Sequence, residues 1–371
     1  MAAISPQSII FVSQHRSSLS RPPRFSSPSN PSISSTDHHL SLTKTAVSSR
    51  SCSCSSVARV VPPVELDSGS DSSNPSSGWA EFASKVSGEW DGHGADFTID
   101  GKPIELPESV VPGAYREWDV QVFDWQTQCP TLAEPESNLL SYRVIRLLPT
   151  VGCEADAATI YDVDERNVGG EGSGVLAFGY HSGGNYVAVW DAGVKGKHML
   201  LELEHCLIDP NNRESRVRIV QVVRVEDAKL RLQRIKVFGE QWYGPFRNGE
   251  QLGGCAIRDS GFASTVALEA SEVMGVWQRS EAVCRFHSSQ MNIVGDLADG
   301  RTKKITRDEN DLIMLPRQLW CSLKENENGE FSGEVGWLLK SGSAISSQVL
   351  FSNEINVKEM AIGYETLVKD L

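Results

Sequence analysis

The chain has 371 residues, of which 40% are hydrophobic, and it carries a net charge of −13. This is enough material for globular domains with sizeable cores, and no apolar run approaches the ~20 residues that a transmembrane helix needs. The acidic balance argues against a broad nucleic-acid-binding surface and against adhesion to an anionic membrane, because both require an excess of Lys and Arg.

The first 60 residues differ in composition from the rest of the chain. They contain 19 Ser, six basic residues and one acidic residue. A Ser-rich, basic leader without a long apolar segment is typical of an organelle transit peptide, and the sparse Arg favours the chloroplast over the mitochondrion. An ordinary polar tail is the alternative. We therefore expect a chloroplast protein, in the stroma or at the periphery of the thylakoid, whose net charge without residues 1–60 is −18.

Beyond the leader, an acidic stretch rich in Ser and Pro at 61–78 predicts a flexible linker. From residue 79 onward, apolar residues recur mostly at every second position, and Val, Ile, Tyr, Phe and Trp are concentrated in short runs. This spacing predicts an all-β protein of antiparallel strands joined by hairpins. The strand-like runs are 119–125, 139–148, 175–180, 185–190, 199–208, 216–225 and 229–238, and the helix-like stretches are 79–87, 107–117 and 265–274.

One phrase occurs twice in the chain. The segment ASKVSGEW at 83–90 aligns without gaps to ASEVMGVW at 270–277, with five of eight positions identical and an offset of 187. Each copy is a short helix-like run that leads into Gly-x-Trp and then into strands. Repeats of this kind indicate repeated supersecondary units, and a series of antiparallel strands removes its free edges by closing into a barrel. We therefore predict two tandem antiparallel β-barrels, at 79–250 and 262–371.

The helix, the Gly-x-Trp and the strand that follows resemble the start of lipocalins and their calycin relatives. The residues that carry this resemblance are Gly88 with Trp90 and Gly275 with Trp277. It implies that each Trp closes a barrel floor, that each Gly permits a tight turn, and that an Arg from a late strand stacks on the Trp. Arg231 or Arg234 is the candidate for this Arg in the first half, whereas 357–371 offers only Lys358 and Lys369.

Two longer segments carry a closer resemblance. GEWDGHGADFTIDGKPIELPESVVPGAYREWDVQVFDWQTQCPTL and LPRQLWCSLKENENGEFSGEVGWLLKSGSAISSQVLFSNEI are similar to an uncharacterised calycin-like family of plant plastids with cyanobacterial relatives. Residues 312–355 also remotely resemble the closing strands of the bilin lyases of phycobiliproteins. The resemblance implies a barrel suited to an apolar or amphipathic ligand, either a tetrapyrrole pigment or a lipid.

Three arginines stand out on this acidic chain because they share one face of a predicted strand. They are Arg216, Arg218 and Arg224. They could line a barrel mouth and pair with the carboxylates of a ligand. Alternatively, they could form a solvated outer face while the intervening apolar residues point inward. The alternation of Arg with Val and Ile favours the second interpretation, in which the inward residues are Val217, Ile219, Val223 and Val225.

The run REWDVQVFDWQTQCPTL at 116–132 is bulky on both faces of a predicted strand. One face could meet a ligand, or both faces could pack between the two barrels, and packing is the commoner cause of such a pattern. In either case Asp124 and Gln126 need hydrogen-bond partners, because a buried unpaired polar group costs about 1–3 kcal/mol. The predicted ligand-binding set is Trp90, Trp118, Trp125, Arg216, Arg218 and Arg224.

Signals of catalysis and of metal binding are weak. YHSGG at 180–184 lacks the strand-to-helix context of a nucleophile elbow, and the acidic group in YDVDERN at 161–167 is more typical of a turn than of a cation site. His181 and His205 are isolated and do not indicate haem ligation. The six cysteines after the leader follow no metal-binding spacing and are interpreted as small core residues.

The leading hypothesis is a non-catalytic chloroplast protein that binds an apolar or amphipathic small molecule. The first alternative is an assembly or scaffold factor that contacts subunits of photosynthetic complexes. The second alternative, which rests only on the remote resemblance, is a tetrapyrrole lyase or isomerase. In each case we expect no nucleic-acid partner and no transmembrane segment.

Overall fold

The computed structural model describes residues 77–151, 158–170, 172–250, 261–287 and 293–368. The proposed leader and most of the linker lie outside these ranges. Among the described residues, the first half of the chain contains two helices and ten strands. They are α1 (Ser77–Val86), β1 (Glu89–Phe97), α2 (Gly113–Glu117), β2 (Asp124–Gln128), β3 (Thr131–Glu134), β4 (Leu139–Leu147), β5 (Ile160–Val168), β6 (Val175–Tyr180), β7 (Tyr186–Lys195), β8 (His198–Ile208), β9 (Ser215–Glu226) and β10 (Lys229–Gly244).

The second half has fewer and more varied elements. Three short 3-10 helices, at Phe262–Ser264, Ala270–Glu272 and Glu309–Asp311, accompany its strands. The strands are β11 (Gly275–Arg285), β12 (Ile293–Asp296), β13 (Ala298–Arg307), β14 (Ile313–Leu315), β15 (Leu319–Glu325), β16 (Phe331–Lys340), β17 (Ser343–Phe351) and β18 (Val357–Leu367). The described chain is therefore mostly β, as the apolar spacing predicts. No helix in the described ranges combines the length and the apolar character needed to cross a membrane.

The strands form two sheets. The first has the order β12-β6-β7-β8-β9-β10-β1-β2-β4-β3, with β5 also paired to β4, and the second has the order β13-β11-β18-β17-β16-β15-β14. In each half the first strand pairs with the last, β1 with β10 and β11 with β18. This pairing is the one that a barrel requires. Within the described residues, however, no ladder joins β5 to β6 or β13 to β14.

The expectation of two closed barrels is therefore wrong, and the first sheet gives a physical reason. The edge of β6 that closure would use is occupied by β12, which comes from the second half and runs parallel to β6, with Val294 opposite Phe178 and Gly295 opposite Gly179. One edge can hydrogen-bond to only one neighbour, so β5 remains unpaired on that side.

The two sheets pack against each other through one shared hydrophobic core. The first sheet supplies residues such as Leu203, Ile219 and Val237, and the second supplies residues such as Val335 and Ile345. Because side chains alternate along a strand, the neighbours of these residues point to the opposite face of each sheet. We call these opposite faces the Trp90 face and the Trp277 face. Trp90 and Trp277 each belong to a separate cluster there.

The repeated phrase folds in the same way in both halves. The indole N–H of Trp90 donates to the Val86 carbonyl at 2.9 Å, and that of Trp277 donates to the Val273 carbonyl at 2.8 Å. Gly88 enters its strand with φ +146° and Gly275 with φ +107°, conformations that side chains disfavour. The structural equivalence of the two copies is thus explicit, although the run before Trp277 forms a 3-10 turn instead of an α-helix.

Two local predictions differ from the structure. Only the second part of 116–132 is a strand, because Gly113–Glu117 forms α2 and Asp119 turns the chain with φ +54°. YDVDERN is not a turn but most of β5, where Asp162 pairs with Arg146 and Asp164 pairs with Arg166. Cross-strand and same-face ion pairs explain why so acidic a run is extended.

Candidate functional site

Two arginines and a glutamate lie buried together on the Trp90 face. Arg216 and Arg218, on β9, are each 1% exposed, and Glu240, on β10, is equally buried. Arg216 Nε donates to Glu240 Oε2 at 2.6 Å, and Arg218 Nη2 donates to Glu240 Oε1 at 2.7 Å. Burial by itself would raise the pKa of Glu240, but the two guanidinium groups hold that pKa below its ordinary value.

A second buried carboxylate extends this network. Glu204, on β8, accepts hydrogen bonds from Arg218 Nη1 at 3.1 Å, from the Tyr186 hydroxyl at 2.9 Å, from the Trp190 indole at 2.9 Å and from the Tyr142 hydroxyl. Burial and the charge of Glu204 raise the pKa of both tyrosines well above the ordinary value, so both remain hydroxyl donors. The network is internally satisfied at these atoms, and it fills the centre of the first half.

The interpretation of Arg216 and Arg218 as a solvated outer face is therefore wrong. Both faces of β9 are buried, because Val217 and Ile219 enter the core shared with the second sheet. The Arg that stacks on Trp90 is Arg216, whose guanidinium carbon lies 4.2 Å from the ring centroid. Arg231 and Arg234, the candidates from the lipocalin resemblance, are exposed.

At the other end of β8–β10, roughly 26 Å along β9 from Arg216, the Trp90 face opens into a cleft of about 550 Å³. We call it the open-end cleft. Basic side chains surround a small apolar floor made by Leu200 and Val222. The remaining lining residues are Lys195, His198, Glu202, Arg224, Gln233, Arg234 and Lys236.

The cations of the open-end cleft differ in how firmly they are paired. Lys236 Nζ donates to Glu202 at 2.8 Å, and Arg224 Nη2 donates to Glu226 at 2.7 Å. Burial would raise the pKa of Glu202, but Lys236 and Arg166 lower it. Lys195 is exposed near the β7–β8 turn. Four basic residues and one acid line the cleft, and this excess of cations is partly neutralised from outside the lining, because Arg234 Nη1 pairs with Asp96 at 2.9 Å and Arg224 pairs with Glu226.

The structure separates the six predicted ligand residues into three groups. Trp90, Arg216 and Arg218 lie together, but in a filled interior with Glu240. Arg224 lines the open-end cleft. The two remaining tryptophans occupy neither place.

Those two tryptophans belong to the region around α2 and β2. Trp118 follows α2 and is 61% exposed, with its ring 6.2 Å from that of Tyr115. Trp125, on β2, is buried in a small satellite cluster and stacks on Tyr161 at 4.7 Å. Trp190 is linked to the open-end cleft, because it lies opposite Glu202 on β8 and Arg166 both lies over its ring at 5.1 Å and pairs with Glu202.

Sequence reasoning missed Glu204, Lys195 and Lys236. A signal for the first was present, because Glu202 and Glu204 interrupt an apolar run in LELEHCL and share a face with Arg218 and Arg224 of the neighbouring strand β9. Alternation alone did not indicate that both faces would be buried, since the second sheet covers one of them.

The Trp277 face of the second half carries its own ionic cluster. Arg307 donates to Glu334 and to Glu365 at 2.7 and 2.8 Å, and its guanidinium lies 4.8 Å from the Trp320 ring. Arg279, 1% exposed, lies 3.0 Å from Glu281. A cleft of about 180 Å³ borders this cluster.

The two candidate histidines lie in different parts of the first half. His205 lies in the shared core, where its Nδ1 is 2.8 Å from the Ser347 hydroxyl, and burial lowers its pKa to about 3. His181 accepts a hydrogen bond from the Gly183 amide within the β6–β7 turn. In the described ranges, no group of three or more His, Cys, Asp or Glu is arranged to hold a metal ion.

Comparison with known proteins finds similar solved structures. No family model matches the sequence, and no curated protein matches it significantly. The crystal structure of a protein of unknown function from the DUF3598 family of Nostoc punctiforme PCC 73102 is similar over 78% of this chain and 99% of that chain. The sequence identity is 12% and the TM-score is 0.47.

Proposed function

We propose that this protein is a non-catalytic chloroplast binding protein and that the open-end cleft holds an anionic, amphipathic small molecule of the tetrapyrrole or lipid class. One observation carries the proposal: Lys195, Arg224, Arg234 and Lys236 surround the apolar floor of a cleft of about 550 Å³. This volume lies within the ~300–1,000 Å³ that is typical of small-molecule sites.

The chemistry of the cleft favours a carboxylate at its rim and an apolar body on its floor. Arg224 Nε is buried and has no hydrogen-bond partner among the described residues, although Nη2 of the same group pairs with Glu226. An Arg fork can bind a carboxylate through two parallel hydrogen bonds. The ligand is therefore expected to be bound at the cleft and not beside Trp90, where Glu240 already neutralises Arg216 and Arg218.

We also propose that each half is an opened relative of a calycin barrel. The pairing of first and last strands in both sheets supports this, as does the repeated Gly-x-Trp with its indole-to-Val hydrogen bond. The chloroplast location rests on the composition of residues 1–60.

The test is a titration of the full chain with protoporphyrin IX and with palmitate, read by tryptophan fluorescence and native mass spectrometry. We expect one bound molecule per chain and quenching that disappears in Trp190→Phe, because Trp190 is the indole joined to the cleft through Arg166. The double variant K195Q/R224Q should bind about tenfold or more weakly, because it removes charge-assisted contacts.

The matched control is K102Q/K340Q, which removes two exposed lysines outside the cleft and the same net charge. It should bind like the unchanged chain. Equal binding of the neutral methyl ester of palmitate would contradict the anionic part of the proposal. A protein that binds neither probe would contradict the carrier function itself.

A second candidate function is protein contact, favoured by one observation on β5. Among the described strands β5 pairs only with β4, and Ile160, Tyr161 and Val163 on it are 42–49% exposed. An edge strand that exposes apolar side chains among its charged ones can pair with a strand of another protein. If this is the function, Val163→Lys should abolish co-purification of a stromal or thylakoid partner and leave binding of the small-molecule probes unchanged.

A further inference from the structure

A different cleft, of about 300 Å³, lies where β1 and β2 meet the segment that connects the two halves. It is not part of the open-end cleft and shares no lining residue with it. Its walls are formed by Val120, Val122, Phe123, Pro149 and the Tyr115 ring, whose hydroxyl donates to the Thr150 carbonyl at 2.8 Å. Six residues with polar side chains complete the lining, namely His93, Gln121, Asp124, Gln126, Thr150 and Ser264.

Asp124 is the informative member of the lining. It is 8% exposed, and its Oδ1 accepts from the Ala263 amide at 3.2 Å, which attaches the connecting segment to β2. Its Oδ2 is buried and has no hydrogen-bond partner among the described residues. A buried carboxylate oxygen without a partner carries a large desolvation cost, so a donor from a ligand would be strongly favoured there.

The backbone amides of Ala263, Gly261 and Phe262 lie beside the carboxylate and lower its pKa, but Oδ2 accepts no hydrogen bond from the described residues. On its β2 side Gln126 lies opposite His93, and Arg317 approaches Asp124 from the second half, where its guanidinium lies over the Phe262 ring at 5.6 Å. Burial raises the pKa of Asp124 more than the backbone amides and Arg317 lower it. The carboxylate thus lacks full compensation of its charge.

We infer that this cleft is a binding site for a small organic cation, a primary ammonium group joined to an apolar or aromatic body. The ammonium would donate to Asp124 Oδ2 and the body would lie against Val122, Phe123 and Tyr115. Aromatic rings beside a cation add cation–π attraction. The volume of about 300 Å³ suits a compound of this size and is smaller than the volume of the open-end cleft.

The experiment is a calorimetric titration of the full chain with phenethylamine, with 3-phenylpropanol as the neutral probe and 3-phenylpropionate as the anionic one. The amine should bind with saturation, and both other probes at least about tenfold more weakly. Asp124→Asn, which keeps the shape and removes the charge, should reduce amine affinity by about tenfold or more. Glu105→Gln is the control, because Glu105 is an exposed carboxylate bonded to Gln121 at the rim of the same cleft.

A second variant protects the test against a folding defect in Asp124→Asn. Val120 is 44% exposed and lines the cleft, so Val120→Trp should fill the space, leave Asp124 intact and abolish amine binding. The inference is overturned if the amine does not saturate, if the alcohol or the acid binds as tightly, or if both variants bind the amine like the unchanged chain.

Discussion

Both halves of the molecule bury a glutamate at the same place in the sheet, but the cations that neutralise it come from the neighbouring strand on opposite sides of that glutamate. Glu240 lies on the last strand of the first half, and Glu365 lies at the corresponding place on the last strand of the second. In the register of the repeat, Gly92 is opposite Glu240, whereas Arg279, 187 positions later, is opposite Glu365. The first strand therefore supplies a cation in the second half only.

The neighbouring strand shows the reverse exchange. Arg216 is opposite Glu240 on β9, and Ala344 is opposite Glu365 on β17. A Cβ at Gly92 would collide with the Gly239 carbonyl oxygen, so that strand has no room for a side chain. The first half thus has its guanidinium groups on β9, and the second half has a guanidinium on β11.

In both halves a buried glutamate has a cation beside it, but the cation comes from a different strand. The need to neutralise a buried charge therefore constrains which residue types form the cluster more than it constrains the position of each residue. An unpaired carboxylate in an interior is costly, and any strand within reach can supply the cation. A repeat can therefore preserve its ionic centre while the residues that form it share no alignment. The three predictions that follow test this idea in order of expected effect.

The largest effect is expected from Arg218→Ser, which places in β9 the residue that β17 has as Ser346 at the same register. Arg218 neutralises Glu240 and Glu204 together. Its loss should lower the free energy of unfolding by about 3–5 kcal/mol, because it leaves buried charge uncompensated. Urea denaturation measures this, and Arg231→Ser, at an exposed site on β10, should change stability by less than about 0.5 kcal/mol.

An intermediate, pH-dependent effect is expected from Asp91→Asn. Burial, followed by the charge of Glu89, raises the pKa of Asp91 to about 6, whereas the second half has the neutral Gln278 at this register. The folded state holds the proton more tightly than the unfolded state. Asp91 therefore lowers the free energy of unfolding as the pH rises through this pKa. Relative to Asp91→Asn, the unchanged protein should lose about 2–3 kcal/mol between about pH 4 and about pH 7.

The measurement is the difference in unfolding free energy between the two proteins at each pH, so that other titrating groups cancel. A difference that stays constant, or a variant that becomes relatively less stable at neutral pH, would contradict the assignment of Asp91.

The smallest effect is expected from Arg279→Gly, which gives the second half the residue of the first. Glu281 keeps Arg301 and Lys303, and Glu365 keeps Arg307. Placing a glycine in a strand has a cost of its own. In addition to that cost, the free energy of unfolding should therefore fall by about 1–2 kcal/mol. Arg285→Gly, on the same strand but 71% exposed on its side chain, supplies the glycine cost. A loss as large as that of Arg218→Ser would contradict the view that the second cluster has redundant cations.

Sequence periodicity predicts the strands that have one apolar face or two, such as β4, β6, β8 and β9, and the repeat predicts the equivalence of Trp90 and Trp277. It does not predict β5 or β13, because ion pairs within β5 and to neighbouring strands stabilise these charged runs and no apolar stripe marks them. It also fails for barrel closure, since β12 has only four residues and pairs with a sheet of the other half.

The site was only partly predictable for the same reason. Arg224 lines the open-end cleft, whereas Trp118 does not, because α2 and the turn at Asp119 leave it in solvent. Arg216 is buried on the Trp90 face by Trp90 and Glu240, while the second sheet covers Val217 and Ile219 on the opposite face of the same strand. No periodicity within β9 encodes that cover. The need for a partner at Asp124 was readable from the sequence, whereas the cleft beside it depends on the connecting segment.

The pairing of β12 with β6 also affects the order in which the chain can fold. Gly179 and Gly295 are paired although they lie 116 positions apart. The N-terminal part of the chain comes first both from a ribosome and from an import channel, so the edge of β6 stays uncovered until β12 has also emerged. Long-range pairing of this kind slows folding and prolongs exposure of a strand edge. We therefore expect the nascent first half to depend on a chaperone until residue 296 has emerged.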